Sequence, residues 1–152
     1  MKFNSREDII QLTPLWTGER FPDGRPRVSD DILRRMAKVR TEEAWSVLWQ
    51  KGYERQFEGN WTVLNPSNRV LVGRAVTGVF VPQRPDLHDT LMQYGHEQEG
   101  RIGAMNSWVI ETLVKDDVIV IDLFGKIYKG TYSGANLSTA IATRTGDRKS
   151  VV

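Results

Sequence analysis

Short stretches of apolar residues at helical spacing alternate with polar residues over the first part of the chain. Residues 8–12 predict a short helix, which Pro14 limits, and the prolines and glycines of residues 18–26 predict a loop. Ser29 and Thr41 are each expected to cap a further helix, and Gly52 is expected to end the second one. The apolar stripes of these two helices are Ile32, Leu33, Met36 and Val39, then Ala44, Trp45, Leu48 and Trp49.

A β-rich pattern replaces the helical spacing between residues 70 and 81. Its β-branched residues predict a strand, its glycines predict a bulge or a bend, and the prolines that follow are expected to end it. Asp86 is expected to cap a helix that continues through Met92. Residues 95–107 contain three glycines and predict a loop, and residues 108–113 predict a short helix or turn.

The last third of the chain has the pattern of a strand, a helix and a second strand. Residues 118–124 are almost continuously apolar and β-branched, which is typical of a strand covered on both faces. Residues 126–129 predict a further short strand, and Gly134 is expected to open a helix that Gly146 ends. Because a strand begins again at residue 151, the pattern predicts a right-handed parallel crossover.

Composition and charge indicate an ordinary globular protein of about one domain. The 152 residues include 39% hydrophobic and 26% charged residues, and the absence of cysteine excludes disulfides, a thiol nucleophile and thiolate-bound zinc. The net charge is +2, and the densest basic stretch, residues 34–40, favours a solvated helix face over a nucleic-acid interface. The first residues lack the core of a signal peptide, and no apolar run approaches about 18 residues, so we expect a cytoplasmic protein without membrane contact.

The turn before the last helix is the strongest candidate for ligand binding. The first N–H groups of a helix have no intrahelical acceptor, and together with the helix dipole they can bind a carboxylate or phosphate. Many helices begin in this way without a ligand, so both interpretations stay open. The candidate groups are the backbone N–H groups of Gly134, Ala135, Asn136 and Leu137.

Histidines and tryptophans carry weaker signals. His88 and His96 lack the spacing of a zinc-protease helix, so polar surface residues are the favoured interpretation. Trp45 and Trp49 lie on one helical stripe, which favours packing in a core or a subunit interface over base stacking. The sequence does not decide whether His88, Asn106 or Trp108 lines a pocket.

Three motifs, in this order, resemble the RraA-like family, which is named for regulator of ribonuclease activity A. This family also contains metal-dependent 4-hydroxy-4-methyl-2-oxoglutarate aldolases, and its members carry the older label dimethylmenaquinone methyltransferase-like. The motifs are residues 71–77, residues 117–122 and residues 134–146, and residues 16–26 resemble a longer subfamily. The resemblance therefore covers nearly the whole chain.

The resemblance implies an α/β fold, a swivelling β/β/α domain over residues 53–152 that follows an N-terminal helical extension over residues 1–52. It also implies homo-trimers or hexamers with active sites between subunits. In the family's aldolases, N–H groups at the turn matching residues 134–137 hold the pyruvate-like end of a keto acid. A divalent cation, Mg²⁺ or Mn²⁺, polarises that keto acid and stabilises the enolate.

The chain departs from the family pattern at three places. An Asp-Gly-x-x-Arg-Asp motif that grips substrate and metal does not occur before Val152, so we expect a C-terminally truncated, inactive form with no catalytic residue assigned. Ala135 stands where an acidic residue is usual, and residues 115–117 replace a Pro-Gly-Asp turn. The alternatives are a non-catalytic regulator that binds a protein such as a ribonuclease, or a degraded gene product without function.

Overall fold

The computed structural model describes residues 5–55, 62, 70–125, 131–146 and 150–151. The chain divides into two compact units, Met1–Val72 and Gly73–Val152. The described residues confirm the mixed α/β class. The elements are α1 (Arg6–Leu12), α2 (Asp30–Met36) and α3 (Thr41–Gln50), then β1 (Arg74–Val79), α4 (Pro85–Gln98), α5 (Met105–Glu111), β2 (Asp117–Asp122), α6 (Ala135–Thr145) and β3 (Ser150–Val151).

Hydrogen bonds between side chains and backbone N–H groups mark the starts of α2 and α3. The predicted cap at Ser29 is confirmed, because its Oγ accepts a hydrogen bond from the Ile32 N–H at 3.3 Å. The predicted cap at Thr41 is wrong, because Thr41 is already the first residue of α3. The N-cap is Arg40, whose backbone N–H donates to the Glu43 carboxylate at 2.9 Å. A glutamate three residues after the N-cap therefore fixes this helix start one position earlier than predicted.

Arg20 organises the loop between α1 and α2, which confirms the loop predicted there. Its guanidinium donates to the Thr13 Oγ1 at 2.7 Å and to the Gly24 carbonyl oxygen at 2.8 Å. Arg20 also pairs with Pro26 in an isolated antiparallel bridge. Gly24 is buried with a φ of 91°, and a Cβ atom there would lie 2.8 Å from the Arg6 carbonyl oxygen.

We expect the Gly24→Ala variant to lower the free energy of unfolding by about 1–2 kcal/mol, because alanine is strained at this φ and meets the Arg6 carbonyl. Gly52→Ala is the matched control, since Gly52 has a φ of 82° but no atom within 4 Å of its Cβ position. Urea unfolding followed by circular dichroism measures both losses. Equal losses would show that backbone strain alone accounts for the effect.

A parallel sheet forms the centre of the second unit, in the order β1-β2-β3. β1 pairs with β2 over six residues, with Val76 opposite Ile119, and β3 pairs with β2 where Ser150 lies opposite Ile119. The chain crosses from β1 to β2 through α4 and α5, and from β2 to β3 through α6. The predicted strand–helix–strand unit is thus confirmed, and the strand predicted over residues 126–129 lies outside the described residues.

The predicted boundaries of α4 and α5 are wrong. α5 begins at Met105, inside the loop predicted over residues 95–107, and α4 differs from its prediction at two points. Arg84 is the N-cap of α4 and Pro85 its first residue, so Asp86 lies inside the first turn. Proline suits this position because the first N–H groups of a helix have no intrahelical acceptor. α4 also continues to Gln98, through part of the predicted loop, and Gly95 is a buried residue inside it.

One hydrophobic core joins the sheet to α5 and α6. Val118 and Ile119 are both buried although successive strand residues point to opposite faces, which confirms the prediction of a strand covered on both sides. Among the described residues, no helix has the length and apolar character needed to cross a bilayer. The buried core residues are Val76, Ile110, Leu113, Ile119, Ile121, Tyr132 and Ile141.

Candidate functional site

The predicted ligand-binding turn lies at the carboxyl edge of the parallel sheet. β2 ends at Asp122, and α6 begins at Ala135 after the connection that leaves this edge. A helix that connects two parallel strands starts near the edge at which the first strand ends. The fold therefore places residues 134–137 at the carboxyl edge of the sheet.

The start of α6 is open within the described part of the chain. Gly134 is its N-cap, in an extended conformation with φ −94° and ψ −169°, and no side chain caps the helix. The Gly134 carbonyl oxygen accepts from the Ser138 N–H at 3.0 Å, which closes the first turn. A Cβ atom on Gly134 would meet nothing within 4 Å, and Ala135 and Asn136 are exposed. Leu137 is half-buried and packs against the core.

The charges of this helix favour an anion. α6 has no acidic residue in its first turn and has Arg144 in its last turn. Its eleven residues provide an aligned dipole whose positive end is the open start. The Oγ atoms of Ser133 and Ser138 lie 3.2 Å apart beside this start and add hydroxyl groups to the N–H groups. The arrangement can bind a carboxylate, with backbone donors rather than charged side chains.

Two reciprocal hydrogen bonds anchor the segment before α6 to the start of α5. The Tyr132 hydroxyl donates to the Asn106 backbone carbonyl at 2.8 Å, and the Asn106 Nδ2 donates to the Tyr132 carbonyl at 3.3 Å. Tyr132 is buried and its ring packs against Phe80, with ring centroids 5.4 Å apart. Asn106 thus holds the candidate turn in position, whereas the sequence left its role open.

Burial raises the pKa of Tyr132 to about 12, above its ordinary value of 10.0. The folded state therefore disfavours the phenolate. The stability that Tyr132 contributes should be complete below pH 10 and decrease as the pH rises towards 12, a loss on the order of 2 kcal/mol.

Urea unfolding of the wild type and of Tyr132→Phe between pH 8 and pH 12 measures this loss. Phenylalanine cannot ionise, so the stability difference between the two proteins should shrink with rising pH. A difference that stays constant over this range would contradict the raised pKa of Tyr132.

His96 and Trp108 contact each other and the backbone of the connection between α4 and α5. His96 is exposed, as predicted, and its Nε2 lies 3.1 Å from the Gly103 carbonyl oxygen. The Trp108 Nε1 donates to the Ile102 carbonyl at 3.1 Å, and its ring meets the His96 ring edge to face. His88 is half-buried on α4. These contacts hold the connection between α4 and α5.

Trp45 and Trp49 pack against each other, with ring centroids 5.4 Å apart, but they do not form a core. No residue of α3 is buried, and the two tryptophans are 37% and 46% exposed. The predicted core packing is therefore wrong for the described residues. The predicted subunit interface and the predicted protein partner stay predictions.

The residues of the first two family-like motifs have a structural role at the opposite, amino edge of the sheet. Arg74 and Asp117 form a buried ion pair, with 3.3 Å between the Arg74 Nε and the Asp117 Oδ1. Gly73 allows close packing, because a Cβ atom there would lie 2.7 Å from the Asp116 carbonyl oxygen. These motifs thus build the sheet, and the third motif, which contains residues 134–137, carries the candidate site.

The chain matches no family model, no curated protein and no solved structure in the comparisons with known proteins. A function can therefore be inferred for the chain only from the contacts and geometry of its own residues.

Proposed function

We propose that the chain is an RraA-like protein that binds the carboxylate of a short keto acid at the start of α6. The observation that carries the proposal is the open, uncapped start of an eleven-residue helix at the carboxyl edge of a parallel sheet. In the same proposal, the second unit has the swivelling β/β/α fold and assembles into trimers or hexamers. The described residues form a mixed α/β architecture, the broader class to which the proposed swivelling fold belongs.

Backbone donors suit the carboxylate end of a keto acid. A carboxylate has two acceptor oxygens, and it can accept from the N–H groups of Ala135, Asn136 and Leu137 while it lies on the axis of the helix dipole. Hydrogen bonds to an ionised acceptor are stronger than neutral ones, so a few donors are enough for specific binding. Ala135 adds no charge at the first position, and therefore leaves the start of α6 favourable for an anion.

The divalent cation that the resemblance implies does not fit this turn. Backbone N–H groups donate hydrogen bonds and cannot ligate a cation, which requires oxygen ligands in the case of Mg²⁺. In the ranges that the structure describes, no three His, Cys, Asp or Glu side chains form a group that could hold a metal ion. The role proposed for residues 134–137 is therefore substrate binding. Metal-dependent cleavage of a 4-hydroxy-4-methyl-2-oxoglutarate-type substrate would need cation ligands from residues outside this turn.

The proposal is tested by removing one N–H group without breaking the helix. Ala135 is the first residue of α6, where proline is tolerated, so Ala135→Pro deletes its N–H and keeps the helix start. We expect the affinity for pyruvate, measured by titration calorimetry, to fall about tenfold or more, because hydrogen bonds to charged groups contribute about 1.5–3 kcal/mol.

Thr41→Pro is the matched control, because Thr41 holds the same first position in α3. This variant should bind pyruvate as the wild type does. Circular dichroism checks that both variants keep their helices. A wild type that does not bind pyruvate would contradict the proposal, and equal affinities of the two proline variants would place the ligand outside the start of α6.

A further inference from the structure

We draw no further inference here: the strongest candidate, the exposed apolar face of α3 that contains Trp45, Leu48 and Trp49, carries none, because nothing in the part of the chain that the structure describes shows what covers it.

Discussion

Replacing Asp117 by alanine is expected to lower the free energy of unfolding by about 3–5 kcal/mol, because the variant takes the Asp117 carboxylate away from the buried guanidinium of Arg74. The Asp117 side chain is fully buried, and that of Arg74 is 8% exposed. The carboxylate also accepts from the Val114 backbone N–H at 3.0 Å, so this donor loses its acceptor as well. Urea unfolding at neutral pH measures the loss.

Asp86→Ala is the control for this prediction. Asp86 forms an ion pair with Arg84 at 2.6 Å, but both side chains are exposed, and exposed pairs contribute little to stability. We expect this variant to unfold almost as the wild type does. If Asp117→Ala were equally harmless, the buried pair would not be a main support of the sheet.

A double substitution separates the cost of an unpaired charge from the value of the pair itself. Replacing Arg74 by methionine and Asp117 by leucine removes both charges together and keeps apolar volume. The double variant should be more stable than Asp117→Ala, because it removes the buried charge of Arg74 together with the Asp117 carboxylate. A double variant less stable than Asp117→Ala would show that the Arg74 hydrogen bonds, including the one to the Lys115 carbonyl, matter more than its charge.

The buried pair belongs to a wider set of contacts that fixes the amino edge of the sheet. The Arg74 backbone N–H donates to the Asp116 carbonyl at 3.0 Å, and the Asp116 N–H donates to the Thr145 carbonyl at 3.0 Å. The end of α6 is thereby tied to the start of β1 and β2. Since the start of α6 lies at the opposite edge, one helix connects this hydrogen-bonded amino edge with the proposed ligand site.

Local signals in the sequence predict the parts of this fold that depend on neighbouring residues. The continuous β-branched run over residues 118–124 predicts β2, because a strand buried on both faces has apolar residues at successive positions. Ser29 predicts the start of α2, because its hydroxyl can accept a hydrogen bond from a free N–H group of the helix. Gly134 and Gly146 likewise mark both ends of α6. The candidate site could be predicted for the same reason, since a helix start is a local feature of the sequence.

Contacts between distant residues could not be predicted in the same way. The hydrogen bonds between Tyr132 and Asn106 join residues 26 positions apart, and the pair Arg74–Asp117 joins residues 43 positions apart. The residues next to Asn106 in the sequence do not indicate that its hydrogen-bond partner is Tyr132. The anchoring of the candidate turn thus depends on tertiary packing, which leaves no periodic pattern in the chain.

Gly95 shows how tertiary packing can override the local preference of the sequence for a loop. Glycine disfavours a helix interior, so its presence predicted a loop, yet α4 continues past it. Trp108 explains why this position is glycine, because a Cβ atom on Gly95 would overlap with the Trp108 ring. The small residue makes room for an indole that is already fixed by its hydrogen bond to Ile102.

We therefore expect Gly95→Ala to lower the free energy of unfolding by about 3 kcal/mol, although alanine is the better helix former, because the added methyl group must displace the indole. The tryptophan fluorescence of the variant should also differ from that of the wild type, since the Trp108 ring must move away from residue 95. Gly134→Ala is the control, because its Cβ position is open and its φ is negative, and it should cost little. A gain in stability for Gly95→Ala would mean that helix propensity outweighs the contact with Trp108.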